Sequence, residues 1–201
     1  MNGLSRATVG RLPRYLRLLE DIETGDTVSS DLLAEAAGVN PANVRRDLSD
    51  LGFQGTRGVG YSVPDLRDRI RRELGIDKRR KVAIIGAGNL GTALARYGGL
   101  TKRGFDVAAI YDVDPNRIGA PIGDIKVQDM DEMPSDCQAG VFDMAIVAVP
   151  ARAAQSVAES LATAGVAALL NFAPARVSVP DRVAVRQVDL STELQILSYY
   201  G

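Results

Sequence analysis

The chain has 201 residues, 46 % of them apolar, a formal net charge of −1, one cysteine, and neither histidine nor tryptophan. That length and apolar content suit one or two packed domains, the lone Cys137 excludes an intrachain disulfide, and the absence of histidine removes the commonest general acid–base group and metal ligand. No zinc site or Cys–His nucleophile is expected, and the absence of an apolar run of ~18 residues or a signal-peptide plan in Met1–Gly10 points to a soluble cytoplasmic protein with no membrane or metal partner.

Leu12, Tyr15, Leu16, Leu19 and Ile22 recur at helical spacing and predict a first helix over residues 12–23, ended by Thr24-Gly25-Asp26. Ser29 or Ser30 caps a short helix, Asp31–Ala37. Gly38-Val39-Asn40 is a tight turn, with Asn40 as N-cap and Pro41 opening a third helix, Pro41–Leu51. Val44, Leu48 and Leu51 form its apolar stripe, and Asn43, Arg45, Arg46, Asp47 and Ser49 lie off it. Two short helices joined by a turn containing glycine are helix–turn–helix punctuation. Arginine and asparagine are the side chains that read guanine and adenine edges in the major groove.

Four glycines within Gly52–Tyr61 predict a short hairpin, a wing whose tip presents Arg57 and Gly58 to a phosphate or the minor groove. The same pattern also suits a small helical packing domain with a solvated arginine face. Ser62 caps a further helix that ends at Gly75. Leu66, Ile70 and Leu74 form its apolar edge, and Arg67, Arg69, Arg71 and Arg72 make either a solvated face or a track for the DNA backbone. The charged linker Asp77-Lys78-Arg79-Arg80 sets the expected boundary between domains 1–77 and 78–188.

Lys81-Val82-Ala83-Ile84-Ile85 is a buried strand, and Gly86-Ala87-Gly88-Asn89-Leu90-Gly91 follows it at G-x-G-x-x-G spacing, opening a helix marked by Leu90, Leu94 and Tyr97. Gly86 permits the tight turn, Gly88 the backbone's approach to a pyrophosphate, and Gly91 close packing of helix on strand. A second strand, Ala108–Asp112, ends in an acid 21 residues after Gly91, the separation expected of a ribose-diol ligand. An acid there accepts two hydroxyls and repels a 2′-phosphate, so NAD(H) is the expected cofactor. A βαβ turn that binds nothing is the alternative.

Beyond Asp112 the alternation continues with a short helix Asp114–Ile118, a loop 119–123, a strand Phe142–Val149 stopped by Pro150, a helix Ala151–Ala164, and strands 167–171 and 182–188. Ligands of open parallel sheets sit outside the carboxyl ends of strands. Val149 and Pro150, and Asn171, Phe172 and Ala173, therefore either flank the cofactor or form ordinary strand-to-helix loops. Asp189 is a candidate N-cap for a last helix running to Tyr200. Leu190, Leu194 and Leu197 make one stripe, with Ile196, Tyr199 and Tyr200 beyond it. A helix apolar on more than one side needs cover, from its own sheet or from a second subunit.

A winged-helix pattern, an NAD-type Rossmann domain and a short terminal helix together resemble the Rex family of redox-sensing transcriptional repressors, over nearly the whole chain. The marks are Val44-Arg45-Arg46-Asp47-Leu48-Ser49, Gly55–Tyr61, Gly86–Gly91, Asp112-Val113-Asp114-Pro115, Asn171-Phe172-Ala173-Pro174 and Val188-Asp189-Leu190-Ser191. The resemblance implies a homodimer with helix 189–201 swapped onto the partner. It also implies an operator complex released when NADH, more than NAD⁺, favours a closed dimer. Arg45, Arg46 and Arg57 match the family's DNA-contacting positions. Arg17, Tyr97 and Asp189 match polar positions thought to switch partners with cofactor state.

An NAD-dependent oxidoreductase is the alternative. Hydride transfer from an alcohol needs a base, and the chain offers no histidine, no Tyr-x-x-x-Lys pair at Tyr111, and no catalytic domain after the nucleotide half. No catalytic residue is assigned.

Overall fold

The structure is a computed structural model that describes residues 3–22 and 26–201. The chain divides into two compact units, with the division between Lys78 and Arg79.

In the first unit, α1 (Arg6–Asp21) begins well before the periodic stripe, because the Ser5 hydroxyl caps it by accepting the Thr8 N–H at 3.0 Å. Glu23, Thr24 and Gly25, read as the end of this helix, lie outside the described residues. The strand β1 (Thr27–Val28) precedes α2 (Ser30–Ala37), whose cap is Ser29. Gly38, at φ 66°, turns the chain towards α3 (Pro41–Asp50), where the Asn40 side chain accepts the Asn43 N–H at 2.8 Å. β2 (Tyr61–Ser62) then leads into α4 (Val63–Glu73).

The expected hairpin is smaller than its glycines suggested. Thr56 and Gly60 form a single antiparallel bridge, and Tyr61-Ser62 pairs with Thr27-Val28 instead of with the hairpin's own first half. The wing is thus pinned to the segment before α2. The core joins Leu12, Tyr15 and Leu19 of α1 to Leu33, Leu48, Leu66 and Ile70. The arginines of α4 are not simply solvated. Arg67 donates to the carbonyls of Leu19 and Ile22, Arg69 donates to that of Leu51 at 3.1 Å, and Arg71 pairs with Glu20 at 3.6 Å. Arg67 and Arg69 satisfy carbonyls that the ends of α1 and α3 leave without intrahelical donors.

The second unit runs β3 (Arg80–Ile85), α5 (Asn89–Ala95), α6 (Gly98–Lys102), β4 (Phe105–Asp112), β5 (Pro121–Ile122) and β6 (Ile125–Asp129). A 3-10 turn (Met130–Glu132), α7 (Met133–Gln138), β7 (Met144–Val147), α8 (Ala151–Ala164), β8 (Ala168–Asn171), β9 (Ala184–Gln187) and α9 (Leu190–Leu197) complete it. The sheet order is β5-β6-β4-β3-β7-β8-β9, parallel except for β5. Strand side chains alternate faces. Val82 and Ile84 pack in the cluster of Leu94 and Leu100, whereas Ala83 and Ile85 pack in that of Met133, Ala158 and Leu161. This is the expected α/β class, a winged helix followed by a doubly wound parallel sheet.

Several elements differ from expectation, among them β5, which pairs with β6 inside the expected loop 119–123. Residues 114–118 form hydrogen-bonded turns, not a helix: the Asp114 carboxylate accepts the Asn116 N–H at 3.0 Å, and its carbonyl accepts from Arg117 and Ile118. The helix after the glycine loop breaks at Tyr97, where Gly98-Gly99 opens α6. The strand β6 and the helix α7 fill a stretch assigned no element. No residue from Asp189 to Gly201 is buried, so α9 does not find its cover on its own sheet.

Candidate functional site

The strand order reverses between β3 and β7, and the carboxyl ends of these strands open a crevice. Gly86 has φ 101°, and a Cβ on it would lie 2.6 Å from the Ala148 carbonyl oxygen. A Cβ on Gly91 would collide with the Gly86 carbonyl oxygen, so first and third glycine are both sterically required. Gly88 precedes α5 with no capping side chain, and a Cβ there would meet only Arg117 Nη1, at 3.7 Å. The first-turn N–H groups of α5, from Asn89 and Leu90 onward, thus have no capping side chain and lie at the dipole's positive end, while Ala87, Asn89, Leu90 and Gly91 are not among the residues that line the crevice.

Asp112 ends β4 beside this loop. One carboxylate oxygen accepts the Ala87 N–H at 2.7 Å, the other the Asp114 N–H at 2.9 Å. Each oxygen retains a second acceptor direction. A cleft of about 430 Å³ is lined by Gly86, Gly88, Asp112, Val149 and Pro150, and by two residues that sequence reasoning missed, Arg117 and Arg152. Arg117 donates to the Ala87 carbonyl and pairs with Asp114 at 3.3 Å. No motif announces it, and the turn that carries it has the composition of a short helix.

Behind the cleft the fully buried Tyr111 donates to Asp136 at 2.7 Å. Burial first, and then the Asp136 carboxylate, push its phenol well above its ordinary range, so it stays protonated. Asn171 ends β8 and Phe172 and Ala173 follow it, but none of the three lines this cleft. The Asn171 side chain is 1 % exposed and turned inward. Its amide donates to the Ala175 carbonyl at 2.9 Å and to Gln187 Oε1 at 2.8 Å, and its oxygen accepts the Ala173 N–H at 3.0 Å.

In the first unit, Arg45, Arg46 and Ser49 are exposed on α3, Asn43 is half-buried, and Arg57 and Gly58 are exposed at the wing tip. A groove of about 500 Å³ joins Ser30, Asp31, Arg45, Thr56, Arg57 and Gly58. Arg45 donates to Ser30 Oγ across it at 3.2 Å.

Asp47 is the exception on α3. Placed off the apolar stripe by its charge, it is 1 % exposed. Its spacing from Val44, Leu48 and Leu51 puts it on the stripe. It accepts from Thr8 Oγ1 at 3.0 Å, from Arg11 Nε and Nη2 at 2.6 Å each, and from Tyr15 Oη at 2.8 Å. Burial raises its pKa, but the hydrogen bonds from Arg11, Tyr15 and Thr8 outweigh this and hold it below the usual carboxylate range. The Asp47 carboxylate in turn raises the Arg11 guanidinium further.

Of the three expected switch residues, Arg17 is exposed on α1 of the first unit, while Tyr97 and Asp189 belong to the second. Tyr97 is 59 % exposed at the start of α6. Asp189 caps α9, accepting from Thr192 Oγ1 at 3.1 Å and the Ser191 N–H at 2.9 Å, and these bonds lower its pKa. Among the described residues no group of three or more His, Cys, Asp or Glu suits a metal, and no helix is long and apolar enough to cross a membrane.

Residues 3–49 match a family model described as a putative DNA-binding protein N-terminus, and residues 77–175 match one described as a CoA binding domain. The chain is 51 % identical to the redox-sensing transcriptional repressor Rex of Streptomyces avermitilis, over 98 % of this chain and 79 % of the relative. It is 41 % identical to Rex of Desulfitobacterium hafniense, over 98 % and 94 %. Among solved structures it resembles RSP, a Rex-family repressor, in complex with β-NAD⁺ and operator DNA: TM-score 0.90, 37 % identity, covering 100 % of this chain and 93 % of that one. RSP in complex with β-NADH matches at TM-score 0.85 and 37 % identity, covering 98 % and 93 %. With such identity along almost its entire length, and with a winged helix and a doubly wound sheet in the same order, the chain belongs to the Rex family of redox-sensing transcriptional repressors.

Proposed function

We propose that this chain is a cytoplasmic, homodimeric repressor that holds operator DNA and releases it on binding NADH. The observation that carries the reading is the pairing, in one chain, of an uncapped glycine-loop helix beside Asp112 with an arginine-bearing α3 and wing. Gly86–Gly91 (through Gly88, Asn89 and Leu90) would hold the pyrophosphate and Asp112 the adenosine ribose diol. Val149 and Pro150, with the loop Asn171-Phe172-Ala173, would border the nicotinamide end. Arg45, Arg46 and Arg57, with Asn43, Ser49 and Gly58, would contact DNA. The solved relative RSP carries NAD⁺ with operator DNA in one complex and NADH in another, which supports transferring both ligands to this chain.

The exposed apolar residues Leu190, Leu194, Ile196 and Leu197 of α9, followed by Tyr199 and Tyr200, support a swapped contact with a second copy. In a twofold dimer the two α3 helices must lie about one duplex turn apart, ~34 Å, to dock together. A modest domain rotation then abolishes simultaneous docking. To move the population from mostly open to mostly closed, the cofactor must prefer the closed form by ~10⁴-fold per dimer, or ~10² per site for two sites. Arg17, Tyr97 and Asp189 are the proposed sensors. No enzymatic role is assigned: the Tyr111 hydroxyl, buried behind the cleft, is engaged with Asp136.

A mobility-shift titration tests this. The full chain, bound to a duplex it selects from a random pool, should be released by NADH at concentrations where NAD⁺ leaves the complex intact. Retention at saturating NADH would refute the switch.

A further inference from the structure

The carboxyl end of β8 and the start of α9 are joined by two amide side chains. Asn171 and Gln187 face each other across the β8–β9 register. Gln187 Oε1 accepts from Asn171 Nδ2 at 2.8 Å, and Gln187 Nε2 donates to the Ala173 carbonyl at 2.8 Å. With the bonds from Asn171 to Ala173 and Ala175, the loop 172–175 is gripped by these two side chains. Asn171 is buried, but Gln187 is exposed, so it adds nothing to a core. Nor is it needed for strand pairing, which the backbone already makes, including Val188 N–H to the Asn171 carbonyl at 2.9 Å. One residue, Val188, separates Gln187 from Asp189, the cap of α9.

We propose that the Asn171–Gln187 amide pair is a positioning element that ties the loop after β8 to the start of α9, so that displacement of that loop is carried into Asp189. The proposal rests on the NADH-responsive reading above, in which this loop borders the nicotinamide end. A loop held by backbone pairing alone could shift at its tip without moving β9. Here a shift must either drag Gln187 or break its two bonds, and β9 hands the motion on through Val188. A coupling of this kind is a free energy shared between two ligands, and it must appear in both directions.

The test uses the full chain with Gln187→Met, which keeps side-chain length and removes both amide bonds. NADH affinity is measured by calorimetry, and operator release by fluorescence anisotropy on a duplex selected by the protein. Residues that carry coupling change it by roughly 2- to 30-fold. The expected result is NADH affinity near that of the wild type, with release needing several-fold more NADH. Reciprocally, operator DNA should weaken NADH binding less than in the wild type. Gln187→Glu keeps the acceptor for Asn171 but loses the donor to Ala173, and it should fall between the two. Arg186→Gln, the exposed neighbour on the same strand, should behave as wild type. The proposal is overturned if Gln187→Met releases DNA at wild-type NADH concentrations, if its NADH affinity falls in step with release, or if Arg186→Gln shows the same loss. Failure of the wild type itself to release DNA would instead count against the NADH-responsive reading.

Discussion

Replacing Asp47 by alanine should destabilise the winged unit more than any surface change on α3. The carboxylate accepts four hydrogen bonds from three α1 side chains, the two from Arg11 at 2.6 Å each. Truncation leaves the Tyr15 hydroxyl without its acceptor on a ring that is 0 % exposed. It leaves the Arg11 guanidinium, 19 % exposed, without its counter-charge. Removing one partner of a buried ion pair costs ~3–5 kcal/mol, and an orphaned buried hydroxyl ~1–3 kcal/mol. The two overlap, and Arg11 can turn partly to water, so about 3–4 kcal/mol is expected. At ~4–8 °C per kcal/mol for a domain of this size, the first unit's transition should fall by about 12–30 °C. Scanning calorimetry of the full chain reads this, with NADH identifying the second unit's transition by raising it.

The pH dependence carries the same signature. The folded pKa of Asp47 is depressed, so its contribution is present above the ordinary value of 3.8 and lost as pH falls through the lower folded value. Wild type and Asp47→Ala should therefore converge in acid. Tyr15 has a raised pKa, and stability should decline as pH climbs above its ordinary value of 10. A loss under about 1 kcal/mol at neutral pH, or a gap that persists unchanged in acid, would refute the reasoning.

Asp112→Ala should weaken NADH roughly 10- to 100-fold by calorimetry, the equivalent of ~1.5–3 kcal/mol for bonds to a charged acceptor; unchanged affinity removes it from the ribose site. Arg45→Ala and Arg46→Ala should each lower the salt slope of operator binding by about one if the contact is to phosphate, or cost ~1–3 kcal/mol at one operator position if it is to a base. Anisotropy at several salt concentrations separates these, and wild-type binding by both variants would exclude α3 as the reading helix. Asp189→Ala should keep NADH affinity while the operator complex persists at saturating NADH in a mobility shift; normal release would show that the signal takes another route.

The parts legible in the sequence were those whose constraints are local. Asn40-Pro41 marks the start of α3, and Gly86, Gly88 and Gly91 follow an apolar strand at a fixed spacing, with Gly91 lying against the Gly86 carbonyl five residues back. The missed parts depend on distant partners. Thr27-Val28 is too short for a periodicity signal, and only its pairing with Tyr61-Ser62 makes it a strand. Ile125–Asp129 does alternate, but Gly123-Asp124 before it and Met130 after it blurred its edges. Asp47 was read outward because of its charge, although its spacing from Val44 and Leu48 places it inward, where three side chains from α1 await it. Arg117 enters the cleft through turns that a helix reading displaced.

The bonding of the α4 arginines bears on how the protein meets a polyanion. Arg67 and Arg69 are occupied with helix-end carbonyls, Arg71 sits against Glu20, and Arg11 is matched by Asp47. Charge already matched or held inside the fold displaces few condensed counterions from a duplex. Each neutralised phosphate contributes about −0.9 to the slope of log K against log salt. Arg11, Arg67, Arg69 and Arg71 should therefore add less to that slope than four free arginines would. The salt slope is then left to the exposed cations, Arg45, Arg46 and Arg57 on α3 and the wing tip, with Arg6 and Arg17 on α1 and Arg72 on α4.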